Sequence, residues 1–159
     1  MKACLDIEIA DHLKYIELCC PGTDIAVYTL GLLEKWTNLR GWLDVPLTIA
    51  KGGGYRTPEY QAIIDKSRGR ESTGQHVLGN ALDVVNKSVD WLRDDLMRML
   101  VRIGYKGIGR RATGAHLDDR KGPFMCWLYS DSGLWHTDHR GLEIYNEMMA
   151  EGLDHDGYR

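Results

Sequence analysis

No apolar run in this chain approaches the ~20 residues that a membrane-spanning helix requires. The opening residues, MKACLDIEI, carry Asp6 and Glu8 where a secretory leader would need an unbroken apolar segment. From these two absences we expect a protein synthesised in the cytoplasm, with no signal peptide and no transmembrane segment. Cysteine is scarce too. Cys4, Cys19, Cys20 and Cys126 form no C-x-x-C pair and match no zinc ribbon, so reduced, buried thiols are expected. There is no excess of positive charge. A net charge of −3 and a pI near 6.0 give a nucleic-acid partner no support. Repeats and low-complexity linkers are also missing.

What is present is an ordinary globular balance. With 43% hydrophobic and 27% charged residues, the 159-residue chain is neither disordered nor fibrous. Its length fits one domain, 1–159, with one modest core. Basic residues cluster locally at Lys66, Arg68 and Arg70, and again at Arg98, Arg102, Lys106, Arg110 and Arg111. Most of these read as solvated faces.

Helical spacing of leucines and a tryptophan predicts a core helix over 28–39. LTIAKGGGYR (47–56) reads as a short strand ending in a glycine-rich turn. Thr57 and Pro58 then suit a helix cap and first position. The strongest helical signal is SVDWLRDDLMRMLVRIG (88–104), with Leu92, Leu96, Met99, Leu100 and Ile103 on one face. There Ser88 is the expected cap, Asp90 lies in the first turn and Gly104 is the stop. RGLEIYNEMMAEG (140–152) is a further amphipathic helix. Short strands are expected at 81–85, 105–109 and 115–119. The sum is an α+β fold: a small, mainly antiparallel sheet with packed helices.

Chemistry gathers around STGQHVLGNALDVV (72–85). Gly79-Asn80 signals a turn, so His76 precedes a turn and Asp83 lies on the strand after it. Period two puts Ala81, Asp83 and Val85 on one face. An acid flanked by Leu82, Val84 and Val85 is partly buried and needs a cation, several donors or a metal. On its own, His76 reads as a satisfied surface or core histidine, and Asp83 as a hydrogen-bonded acid at a strand end. GAHLDDR (114–120) supplies a third group, because His116 and Asp118 share a strand face while Asp119 points away. His76, Asp83 and His116 make a His₂Asp set, and three protein ligands are the pattern of catalytic zinc. In GGGYRTPEY, Arg56 sits at a strand-to-helix junction. It reads as a clamp for a substrate carboxylate or an oxyanion, or as an ordinary surface arginine.

The order G-Y-R-T-P, S-T-G-Q-H-V-L-G-N-A-L-D, G-Y-K-G-I-G, H-L-D-D-R resembles the zinc D-Ala-D-Ala carboxypeptidase and L-Ala-D-Glu endopeptidase family. Bacterial wall enzymes and phage endolysins belong to that family, whose fold is shared with the Hedgehog signalling domain. The resemblance covers roughly residues 47 to 127. ELCCPG (17–22) also looks like the N-terminal segment of the phage-type branch. The resemblance implies Zn2+ held by His76, Asp83 and His116, with Arg56 as the substrate and transition-state arginine. It further implies hydrolysis of a peptide bond in peptidoglycan, by a lysin that acts on the wall after release from the cell. A monomer is expected.

One position departs from the family's pattern. Many members carry an acid three residues before the last zinc histidine, where this chain has Thr113. Asp118 is then the expected base, or alternatively a partner that orients His116 or Arg56. In WHTDH, His136 and His139 with Asp138 read either as a second metal site or as a solvated helix start. Trp127 and Trp135 either wall a substrate cleft or serve as core or rim aromatics. A different class of function is a virion or tail protein that keeps the fold for binding, with little or no activity. Thr113 favours it. A third is a non-catalytic, metal-stabilised module.

Overall fold

The computed structural model describes residues 6–67, 69, 74–130 and 134–153. Cys4, Arg68, Arg70, Ser72 and Thr73 lie outside the described residues. Among those described are five helices, a hairpin and a six-stranded, mostly antiparallel sheet, an α+β fold. None of the helices is long and apolar enough to cross a membrane.

The hairpin pairs β1 (Glu8–Ala10) with β2 (Leu13–Lys14), and the short helix α1 (Tyr15–Leu18) follows. Helix α2 (Leu30–Leu43) starts at Thr29, whose hydroxyl accepts the Leu32 N–H, and buries Leu32, Leu33, Trp36 and Leu39. After it come β3 (Thr48–Ile49) and α3 (Pro58–Ser67). The Thr57 hydroxyl accepts the Tyr60 N–H at 3.3 Å, the cap that the Thr-Pro pair predicts.

Strand β4 (Ala81–Val85) has the expected bounds. Gly79 turns the chain into it with φ +69°, and a side chain there would overlap the Val27 carbonyl. Helix α4 (Asp94–Ile103) is followed by β5 (Gly107–Arg111), β6 (Gly114–Asp118), β7 (Met125–Tyr129), β8 (Trp135–Thr137) and α5 (His139–Ala150). The large sheet runs β3-β4-β6-β5-β7-β8, and only the β5–β7 pair is parallel.

Helix α4 is shorter than the periodicity predicts. Ser88 does not cap it and Asp90 is not in its first turn. Local side-chain hydrogen bonds occupy this stretch instead. The Asn86 carboxamide oxygen accepts both the Ser88 N–H and hydroxyl, and Asp90 accepts the Leu92 N–H at 3.1 Å. Such bonds compete with helix. Leu92 is therefore exposed, whereas Leu96, Met99, Leu100 and Ile103 are buried and Gly104 ends the helix as expected. Strand β5 also begins two residues after its predicted start, since Tyr105 is drawn into the core.

The sheet has two unlike faces. Leu82, Val84, Ile108, Ala115, Leu117 and Cys126 join the hydrophobic cluster, together with side chains of α2, α4 and α5. Alternation sends Asp83, His116, Gly109 and Trp127 to the opposite face, where register aligns them in one row across β4, β6, β5 and β7. An antiparallel sheet packed on one side leaves its other side for chemistry.

Candidate metal centre

Two backbone segments bring the site together. The glycine-rich turn after β3 pairs with β4 at the acid itself: Asp83 N–H donates to the Gly53 carbonyl, and Ala50 N–H to the Asp83 carbonyl. The same turn leans on the ELCCPG segment, since Tyr55 N–H donates to the Leu18 carbonyl. The turn that carries His76 joins them through the Arg56 N–H, which donates to the His76 carbonyl at 3.3 Å. His76, at 4% exposure, is buried.

His76, Asp83 and His116 each point one ligand atom to a common place, all within 4.8 Å of one another. Asp83 Oδ1 lies 3.3 Å from His76 Nε2 and 2.9 Å from His116 Nδ1. A tetrahedral zinc shell with Zn–N near 2.0–2.1 Å has edges of roughly 3.3 Å, so the spacing fits.

Proton positions give a second test of fit. His76 Nδ1 is 2.8 Å from the Gly54 carbonyl, which only an N–H can satisfy. That fixes the tautomer and turns the bare Nε2 lone pair towards the Asp83 carboxylate. Burial lowers the His76 pKa against the pull of Asp83, so the ring is neutral at neutral pH. Two acceptor atoms then face each other across 3.3 Å, an arrangement that a cation between them resolves. Burial pushes the Asp83 carboxyl up, but the hydrogen bond and the charge of His116 act the other way, and the carboxyl is held well below the ordinary range.

At His116, burial acts downward on the pKa, yet hydrogen bonds to Asp118 and Asp83 raise it to about 9. The protonated ring accordingly directs Nδ1–H at Asp83 Oδ1, 2.9 Å away. His116 Nε2 donates to Asp118 Oδ2 at 2.9 Å. This is the carboxylate–histidine arrangement that orients metal-ligating imidazoles.

Arg56 is 8% exposed and belongs to the same assembly. Its Nε donates to the Gly52 carbonyl at 2.6 Å, its Nη1 to Gln61 at 3.2 Å and its Nη2 to Asp83 Oδ2 at 2.7 Å. It is not a surface arginine. It fixes the acid whose other oxygen faces the histidines. Gln61 is in turn held by Asp65, its neighbour one turn along α3. Sequence reading missed this pair. The available signal is two polar residues four apart on the buried face of a helix.

Asp118 does share a face with His116, as alternation predicts, and Asp119 does point away, to Lys35 at 2.6 Å. Asp118 is, however, fully buried, and both its oxygens are engaged by Arg120. Burial pushes its pKa up, but Arg120 and His116 bring it down to about 2. Thr113 lies exposed in the β5–β6 turn.

The other sequence-predicted residues divide plainly. Trp127 is at the site, 5.3 Å from the His116 ring, while Trp135 is an exposed rim residue on β8. His136 and His139 are both exposed and, among the described residues, join no three-ligand group. Asp138 is buried on Arg110 and caps α5. The Arg98–Arg111 stretch is accordingly not one solvated basic face: Arg98 pairs with Glu147, and Arg110 is in the core. Cys19, Cys20 and Cys126 are buried free thiols.

Fold and site together define an α+β domain with a His₂Asp cluster on the sheet face opposite the hydrophobic cluster. Set against protein-family models, curated proteins and solved structures, the chain matches none.

Proposed function

We propose that this chain is a zinc-dependent peptidase that cuts a peptide bond in peptidoglycan, as a wall carboxypeptidase or endopeptidase of the phage-lysin kind. Its fold is then that of the D-Ala-D-Ala carboxypeptidase and Hedgehog domains. One observation carries the reading. The bare nitrogen of His76, one oxygen of Asp83 and Nδ1 of His116 lie within 4.8 Å of one another on the sheet face opposite the hydrophobic cluster. The sequence order around these residues supplies the substrate class.

When bound, zinc supplies a Lewis acid and lowers the pKa of a coordinated water to ~7. The chain's own residues do the rest. Gly54 and Asp118 hold the two imidazoles in the orientation a metal needs. Arg56 fixes Asp83, and its N–H groups beyond those three contacts are the proposed donors to negative charge developing on the scissile carbonyl oxygen. Trp127 lies beside His116, its ring centroid 5.3 Å away. Hydrolysis adds water across the amide, with oxygen to the carbonyl carbon and a proton to the leaving nitrogen. Asp118 is proposed here as the positioning partner of His116 and not as the base, because Arg120 and His116 already occupy it.

A second reading, a virion or tail binding protein with little or no activity, is favoured by that same occupation together with Thr113. Mass spectrometry of purified peptidoglycan after incubation with the zinc-loaded protein separates the two. The peptidase reading expects new stem-peptide fragments that chelator suppresses. Intact peptidoglycan over the same incubation would favour the binding protein.

A further inference from the structure

We propose that Arg120 is a positioning residue for the metal centre, acting through Asp118 on His116, with Trp127 closing the ring of contacts. This rests on the reading of His76, Asp83 and His116 as metal ligands, not on which bond is cut.

A carboxylate held by one histidine alone is free to rotate. Asp118 is not. Arg120 Nε donates to Oδ1 at 2.8 Å, Nη2 donates to Oδ2 at 2.5 Å, and the Arg120 backbone N–H donates to Oδ1 at 3.2 Å. This two-pronged grip fixes the carboxylate plane, and through Oδ2 it fixes the His116 ring. Arg120 is itself held, with its guanidinium 5.4 Å from the centre of the Trp127 ring. Trp127 then lies against His116, with centroids 5.3 Å apart. The contacts form a closed circuit: His116, Asp118, Arg120, Trp127 and back to His116. The imidazole is held through Nε2 by Asp118 and bordered by the tilted Trp127 ring.

The intervening strand makes room for the circuit. On β5, Gly107 lies opposite Asp118 and Gly109 opposite His116. A Cβ at Gly107 would overlap the Asp118 carboxylate, and one at Gly109 would overlap the Trp127 ring. Both glycines are the ones that let these side chains lie flat over the sheet. The G-x-G of GYKGIG thus has a local physical reason.

A purely structural alternative makes Arg120 a counter-charge for buried Asp118. The two accounts differ on lysine, which keeps the charge and loses the fork. The test is titration of the chelator-stripped protein with Co(II), reading both the dissociation constant and the visible absorption of the bound ion. Arg120→Met is expected to weaken Co(II) binding about 10- to 100-fold, the usual cost of losing an outer partner. Arg120→Lys is expected to show most of that loss, with an altered absorption band. Lys35→Met, which breaks the Asp119 pair on the other side of the strand, is expected to bind as wild type. Melting curves in chelator confirm that each variant folds, and if Arg120→Met does not, Arg120→Lys decides. Wild-type affinity and spectrum in Arg120→Lys would overturn the proposal. A wild-type protein that takes up no Co(II) would overturn it together with the metal reading. One that binds Co(II) in this pattern but leaves peptidoglycan uncut would uphold it and count only against the peptidase.

Discussion

Asp83→Ala is expected to leave a folded protein that holds no zinc and cuts no peptidoglycan. Asp83 is the one anion among the three proposed ligands, and it touches both histidines and Arg56. Its Oδ1 faces both histidines, and its Oδ2 receives Arg56. Removing it leaves two imidazoles beside a guanidinium, a set that repels a dication. The loss must exceed the ~10- to 100-fold that outer partners cost, because here a direct ligand goes. The fold should survive, since Arg56 keeps the Gly52 carbonyl and Gln61 as partners. Elemental analysis after dialysis against zinc, with a digest in parallel, checks both halves. Undiminished zinc in Asp83→Ala would remove the residue from the ligand set.

Asp138→Ala is expected to be among the most destabilising single changes, by about 3–5 kcal/mol, the range for breaking a buried ion pair by removing one partner. Arg110 is 2% exposed and Asp138 1%. Arg110 Nε and Nη2 donate to Asp138 Oδ2 at 3.0 and 2.5 Å, and Nη1 donates to the Leu92 carbonyl at 3.0 Å. The pair therefore ties β5 to the start of α4 and to α5. Asp138 also caps α5, accepting the Gly141 N–H on Oδ1 at 2.9 Å. Its loss strands a buried cation and opens a helix end together. Urea denaturation measures the effect. The double change Arg110→Met with Asp138→Leu should recover most of it, because it removes the stranded charge. A single-variant loss below about 1 kcal/mol would mean that the pair is not a buried anchor.

Strand β4, the turn at Gly79, the Thr57 cap and the α2 and α5 helices follow from local signals, and those signals had no strong competitor. Asp83 and His116 share a face because alternation on a strand is strict. Periodicity misplaces the start of α4 because Asn86 and Asp90 offer hydrogen bonds that it does not count. Strands β7 and β8 carry weaker patterns, and the parallel β5–β7 pairing is a long-range contact that no local signal encodes. For the same reason no local signal separates Arg110 from its basic neighbours: its partner is 28 residues away. The site divides along the same line. That His76, Asp83 and His116 come together was readable from strand alternation and motif order. The groups that hold them, Gln61 on Arg56 and Arg120 on Asp118, became visible only with the side chains in place. Asp118 shows the limit most clearly, because its position next to His116 was predictable and its full burial under Arg120 was not.

We propose His76, Asp83 and His116 as one metal site, and metal content tests this most directly. Wild-type protein, dialysed against zinc and then freed of excess, should carry about one zinc per chain by elemental analysis, as one His₂Asp cluster requires. His76→Ala should carry none. A folded wild-type protein that remains metal-free under those conditions would contradict the account.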